Sequence, residues 1–178
     1  MIDKRALRAR MRAVRDGHDR VRALPVPAAF LAMLQGARTI ASYMPVGAEA
    51  DPAPFTDAAR KAGLAVALPH VIDRATPLRF LNWDGIAPLV TGPFGLRQPL
   101  PAAPPATPDI ILTPLVAFDA RGNRLGQGAG HYDRAFAEFP DARRIGIAWS
   151  VQQVDALAPD AWDIPLHAIA TELDWIVP

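Results

Sequence analysis

Short apolar runs alternating with helical stretches leave this chain few folds. Residues 38–43 (RTIASY), 64–68 (LAVAL), 109–118 (DIILTPLVAF) and 144–149 (RIGIAW) have the length and aliphatic content of strands buried on both faces. Residues 54–62 read as a helix ended by Gly63, and residues 131–139 as another. Residues 78–83 add a strand, and residues 168–177 one or two more. The alternation predicts a Rossmann-like α/β fold: a mostly parallel sheet covered by helices on both faces, receiving ligands outside the carboxyl ends of its strands. A length of 178 residues suits a single domain over residues 1–178 and is short for two cores. Pro114 cannot donate to a ladder, so the strand over 109–118 is expected to end or bulge there. Residues 85–108, rich in Pro and Gly, fit no regular element, and a span of that length is usually functional or a surface excursion.

Residues 2–22 predict an amphipathic helix, with Leu7, Met11 and Val14 on one stripe and Lys4, Arg8, Arg12 and Arg15 on another. Pro25 and Pro27 are expected to stop it, before a short helical stretch over residues 28–34. Lys4 and Arg8 stand one turn apart and could grip one polyphosphate together, whereas Arg12 and Arg15 are expected to be solvated. The net charge is only +1, so this basic excess is local. No aromatic stripe is interleaved with it for stacking bases, and no nucleic-acid partner is expected. Zero cysteines exclude disulfides, thiolate metal sites and a thiol nucleophile. The N-terminus is charged from its third residue and lacks the apolar segment of a signal peptide, and no run of about 18 apolar residues could span a membrane. A cytoplasmic place is therefore expected.

The richest stretch runs from Phe118 to Arg134. Gly126, Gly128 and Gly130 let the backbone take conformations closed to other residues, and the following helix turns its partial positive end to the same place. An anion could sit there, although glycine runs also make plain turns. The loop lacks the Lys-Ser/Thr of a P-loop and the third-glycine spacing of a dinucleotide fingerprint. Arg124 before the loop and Asp133 after it supply a guanidinium for phosphate oxygens and a carboxylate for a metal. A solvated loop charge and a first-turn acid facing the helix dipole are the plainer readings of those two. Glu49, just past a strand end beside Gly47, is a candidate ligand carboxylate or a surface charge.

The order Phe118-Asp119, then Arg124-Leu125-Gly126, Gly128, Gly130 and Tyr132-Asp133-Arg134 closely resembles the signature of the 5-formyltetrahydrofolate cyclo-ligase family. Other fragments resemble that family in order along nearly the whole chain. These are Lys4-Arg5-Ala6-Leu7-Arg8, Tyr43 with Glu49-Ala50-Asp51, Ala67-Leu68-Pro69, Phe94-Gly95-Leu96 with Gln98-Pro99, Ile147-Ala148-Trp149 with Gln152, and Asp163-Ile164-Pro165-Leu166.

The resemblance implies an isomerase/CoA-transferase-like sheet and an enzyme, expected to be a monomer, that uses ATP and Mg2+ to close 5-formyltetrahydrofolate into 5,10-methenyltetrahydrofolate. It implies that Lys4, Arg8, Arg124 and the loop residues Gly126, Gln127, Gly128, Ala129, Gly130 and His131 hold ATP. Asp133 and Asp163 would hold the metal, Glu49, Phe94 and Tyr132 the folate, with Arg124 and Tyr132 in catalytic roles. Four positions depart from the family pattern: His131 for Tyr, Gln127 for a frequent Arg, Gln98 for Glu, still able to orient a ligand, and Trp162 for His before Asp163. Two other readings remain, a sugar-phosphate isomerase or acyl-transferase relative and a non-catalytic folate- or RNA-binding protein.

Overall fold

The computed structural model describes residues 3–19 and 22–178. The chain forms α1 (Lys4–Asp16), α2 (Ala28–Met33), β1 (Thr39–Ala41), α3 (Ala53–Lys61), β2 (Ala65–His70), β3 (Arg79–Asn82), β4 (Val90–Thr91) and β5 (Arg97–Gln98). It continues with β6 (Ile110–Pro114), β7 (Ala117–Phe118), β8 (Arg124–Leu125), α4 (His131–Glu138), β9 (Arg143–Ile147), β10 (Ala168–Ala170) and β11 (Trp175–Ile176). Seven strands make the central sheet in the order β11-β10-β9-β6-β1-β2-β3. The pairs from β2 through β1, β6 and β9 to β10 are parallel, and β3 and β11 close the two edges antiparallel.

Alternation along each strand sorts side chains to two faces. Ile110 and Leu112 join Ile40, Val66 and Ile145 on the face covered by α2 and α3, where Phe30 meets Phe55 edge-on with ring centroids 4.9 Å apart. Ile111 joins Ala41, Ala67 and Ile169 on the face covered by α4 through Phe136. Gly146 of β9 allows close packing here: a Cβ would stand 2.7 Å from Leu166 Cδ1 and 2.9 Å from Leu115 Cδ2, so these two buried leucines would have to shift. At Pro114 strand β6 ends as the missing N–H requires, and the chain enters the small β7–β8 hairpin, against which α1 packs Met11.

Several boundaries differ from the sequence reading. α1 ends at Asp16, where Gly17 caps it by donating its N–H to the Ala13 carbonyl at 3.1 Å, well before Pro25. Ile2, Arg20 and Val21, which that helix was expected to include, lie outside the described residues. Its buried side chains are Met11 and Arg15, while Val14 is 40 % exposed. Residues 85–108 hold a β4–β5 hairpin and then a strap along the free edge of β3, with the Ala106 N–H donating to Phe80 O and the Asn82 N–H to Pro104 O, each at 2.8 Å. Partners so distant in sequence satisfy this strap that no local period betrays it.

Candidate functional site

The parallel strands grow from β1 outward to β2 on one side and from β6 to β10 on the other, so the connections diverge between β1 and β6. A crevice opens outside the carboxyl ends at such a switch point. Here it is a cleft of about 720 Å3, bounded by α1, the loops after β1 and β2, the β4–β5 hairpin, the glycine loop and residues 160–163.

The glycine loop is one wall. Gly128 and Gly130 have φ of +99° and +68°, a region open to glycine at little cost, and Gly130 caps α4 without any side chain in the way. Arginines take the loop's carbonyls: Arg8 Nε donates to Gly126 O at 2.8 Å, Arg74 Nη2 to Gly128 O at 2.8 Å and Arg134 Nη1 to Ala129 O at 3.1 Å. With the carbonyls turned to cations, the N–H groups are the half of this backbone left to an anion. Arg134 Nη2 also stands 3.0 Å from His131 Nδ1. A guanidinium only donates, so Nδ1 accepts and the imidazole proton sits on Nε2. Burial, then the charges of Arg134 and Arg74, hold the His131 pKa below its ordinary value, which keeps the ring neutral near pH 7.

The basic stripe of α1 forms the opposite wall. Lys4 Nζ reaches Asp160 at 2.6 Å and Asp163 at 3.1 Å. Burial alone would lower its pKa, but the hydrogen bonds to the two carboxylates more than offset that and raise it. Arg12 was expected to be solvated, yet its Nε and Nη2 donate to Gln127 Oε1 at 3.1 and 2.7 Å. Arg15, given the same expectation, is 6 % exposed and lines the cleft. The correction is geometric: α1 lies along the cleft instead of touching it end-on, so the whole stripe faces inward.

Arg124 is no solvated loop charge either. Its side chain is 5 % exposed, donates to Asp133 Oδ1 and to Ile164 O at 2.6 Å, and lies 4.4 Å over the Phe136 ring. Burial pulls its pKa down, against the opposing charges of Asp133 and Asp163. Tyr132 packs edge-on to Phe136 at 6.2 Å, and burial, helped by Glu49, pushes its phenol well above the ordinary range. That hydroxyl stays protonated and can donate but not serve as a base.

Glu49 is held rigidly at the floor. The Val46 N–H donates to its Oε2 at 3.0 Å and Gln127 Nε2 to its Oε1 at 3.1 Å. Its loop is pinned by Tyr43 Oη donating to Ala50 O at 2.6 Å and Trp149 Nε1 to Ala48 O at 3.1 Å. Phe94 stands at the rim, 59 % exposed and with φ of +61°, 6.4 Å from His131 between ring centroids. Gln98, expected to orient a ligand, instead pairs reciprocally with the Val71 backbone: the Val71 N–H donates to Oε1 at 3.0 Å and Nε2 donates to Val71 O at 3.1 Å. A glutamate could not complete that pair, so the departure at this position serves the scaffold.

Asp133 and Asp163 both line the cleft and both act on Arg124. Among the described residues no group of three or more His, Cys, Asp or Glu side chains could cage a metal. Two carboxylates beside an anion-suited loop do fit magnesium, which keeps several waters and takes substrate phosphates as ligands. Sequence reading missed Arg74 and Asp160 as lining residues and noted Trp162, 70 % exposed at the rim, only as a departure. Arg74 and Asp160 sit in loops, where no period marks a direction.

A doubly wound sheet with a cleft at its switch point, walled by a glycine loop and a helix of cations, defines the class of α/β proteins whose ligand site lies outside the carboxyl ends of the strands. The model of the 5-formyltetrahydrofolate cyclo-ligase family matches residues 2–172, and the chain belongs to that family of enzymes. It is 35 % identical to the Escherichia coli (strain K12) 5-formyltetrahydrofolate cyclo-ligase over 143 residues, 76 % of this chain and 78 % of that protein. It is 40 % identical to the Haemophilus influenzae enzyme of that name over 98 residues, 52 % of each. The NMR structure of Aquifex aeolicus 5,10-methenyltetrahydrofolate synthetase superposes with a TM-score of 0.77 at 27 % identity, covering 98 % of this chain and 92 % of that one. The corresponding synthetase from Mycoplasma pneumoniae gives 0.68 at 25 % identity, covering 96 % and 99 %. Among the described residues no helix is long and apolar enough to cross a membrane.

Proposed function

We propose that this cleft binds ATP with magnesium against the glycine loop and α1, binds 5-formyltetrahydrofolate against Glu49, and joins them in one cyclisation, as a cytoplasmic monomer. The observation that carries the reading is that both halves meet in one cavity: Gln127, inside the glycine loop, hydrogen-bonds Glu49 at 3.1 Å.

A formamide carbon is a weak electrophile. Phosphorylating the formyl oxygen with the γ-phosphate of ATP releases ADP and turns that oxygen into part of a leaving group. The secondary nitrogen N10 of the same folate then attacks the carbon, loses its proton, and phosphate departs, leaving 5,10-methenyltetrahydrofolate. Ring closure within one molecule asks the protein mainly to position and to neutralise. Lys4, Arg8 and the N–H groups of Gly126, Gln127, Gly128, Ala129, Gly130 and His131 bind the polyphosphate. Arg124, buried and aligned by Asp133, faces the transferring phosphoryl with a fixed positive charge. Tyr132, held protonated by burial, donates a hydrogen bond to the folate, and Phe94 offers it a ring at the rim. Asp133 and Asp163, with phosphate oxygens, would hold magnesium, which when bound neutralises the phosphates. A sugar-phosphate isomerase reading would give Lys4, Arg8 and Glu49, which line the same cleft, no role.

The test is 5-formyltetrahydrofolate with and without Mg·ATP, followed by the near-ultraviolet absorbance of the methenyl product. Product in step with ADP, and none when either ATP or metal is left out, is expected. Product without ATP would overturn the reading.

A further inference from the structure

Arg15 is the least expected member of the cleft. A guanidinium 94 % withdrawn from solvent normally has its N–H groups satisfied, since leaving them unmet is costly. Here Nε and Nη1 have no hydrogen-bond partner. The nearby carboxylates lie at ion-pair range only, Asp16 Oδ1 at 3.5 Å from Nε and Glu49 Oε1 at 4.0 Å from Nη1. Arg15 thus neighbours Glu49 without bonding to it, and both line the same cavity. Each oxygen of Glu49 already accepts one hydrogen bond, from Val46 and from Gln127, and keeps capacity for one more. Toward the cleft the pair therefore presents two acceptors with a cationic donor beside them.

One edge of a reduced pterin is the complement of that row: a 2-amino group and an N3–H donate side by side, and the 4-oxo group next to them accepts. We propose that Arg15 is a substrate-specificity residue, donating to the pterin 4-oxo oxygen while Glu49 accepts from the 2-amino group and N3–H. The proposal rests on the folate reading of the Glu49 end of the cleft. Nε and Nη1 are themselves closed to solvent, so the contact with the ligand falls to the outer nitrogen, Nη2, where the guanidinium lines the cleft. Arg15 then selects 4-oxo pteridines against 4-amino ones, whose amino group in that place would meet a cation donor to donor.

The experiment is calorimetric titration of the full chain with 5-formyltetrahydrofolate and with its 4-amino counterpart, for the wild type, Arg15→Met and Arg15→Lys. The wild type is expected to prefer the 4-oxo ligand by roughly tenfold or more, the usual scale for a charge-assisted hydrogen bond. Arg15→Met is expected to lose about that factor for the 4-oxo ligand, with a change below about twofold for the 4-amino one, and Arg15→Lys to recover part of the preference. Equal losses for both ligands would make Arg15 a mere support for Glu49 and overturn the proposal, as would a fall in ATP affinity with both pteridines unchanged. A 4-amino pteridine also lacks the N3–H that Glu49 accepts, so a wild-type preference is assigned to Arg15 only through the variants, with Arg15→Lys read alone if Arg15→Met does not fold. A wild type that binds both pteridines alike overturns the proposal alone, and one that binds neither overturns the folate reading beneath it.

Discussion

Gln127 Nε2 lies 3.1 Å from Glu49 Oε1, so the glycine loop and the loop after β1 touch across the floor of the cleft. Arg12 donates to the other end of the same amide at 2.7 Å. Helix α1, the glycine loop and Glu49 are thus one connected polar network, and the two substrates it would hold are adjacent. That adjacency is what phosphoryl transfer from one to the other requires.

Glu49→Gln is expected to weaken 5-formyltetrahydrofolate binding by roughly tenfold or more while leaving ATP affinity within about twofold, because it removes a charged acceptor on the folate side only. Titration calorimetry with each ligand separately reads this. A drop confined to the nucleotide would mean that the two ends of the cleft have been exchanged.

Lys4→Ala and Arg8→Ala are each expected to raise the apparent KM for ATP by roughly tenfold or more, about 1.4 kcal/mol per decade, with little change in Tm. Arg12→Ala is expected to have a smaller effect in the same direction, since it acts through Gln127. Initial-rate kinetics over a range of ATP settle the order, and an unchanged KM in all three variants would remove α1 from the nucleotide site.

The glycine loop separates folding from binding. At Gly126 the φ angle is not in the left-handed region and an added Cβ would meet nothing within 4 Å, so Gly126→Ala should fold with an unchanged Tm. At Gly128, with φ of +99° and Arg8 3.4 Å from an added Cβ, alanine forces the loop to shift. Gly128→Ala should therefore weaken ATP binding more than Gly126→Ala does, read by calorimetry beside thermal melts. Equal behaviour of the two would contradict the cradle geometry.

Much of this was legible in the sequence, and for identifiable reasons. Strands such as Ile110–Pro114 announce themselves because burial on both faces demands an unbroken aliphatic run. The glycine loop did so because Gly128 and Gly130 must take positive φ. Arg15 was misread because a stripe of cations looks alike whether water or a cleft covers it, and only the lie of α1 against the β7–β8 hairpin decides. The strap after the β4–β5 hairpin escaped because Phe80 and Asn82, far back in the chain, supply its partners, and the hairpin because strands of two residues carry no period.

Acid stability follows from two carboxylates outside the cleft. Burial alone would raise the pKa of Asp119, but hydrogen bonds from Asn123, Leu157 and Arg121 outweigh it and lower the value. Glu172 is likewise opposed by burial and lowered by the Ser150 hydroxyl and N–H. Groups depressed in the folded state contribute stability that is full above their unfolded pKa, near 4, and is lost as pH falls through the lower folded values. Chemical denaturation should thus give a decline that starts gently below about pH 6.5, where the lowered pKa values of His131 and His167 begin to cost stability, and steepens below about pH 4, with Asp119→Ala costing roughly 3 kcal/mol or more at pH 7. No loss in that variant would contradict the anchoring of the turn before the glycine loop.

The chemistry has one direct signature. If the formyl oxygen takes the γ-phosphoryl group of ATP, that oxygen must leave with the phosphate. Substrate labelled with oxygen-18 in the formyl group, converted by this protein with Mg·ATP, is expected to yield inorganic phosphate carrying one labelled oxygen for each methenyltetrahydrofolate formed, measured by mass spectrometry or by the isotope shift of the phosphorus resonance. Methenyl product accompanied by unlabelled phosphate, with the label released to water, would contradict it.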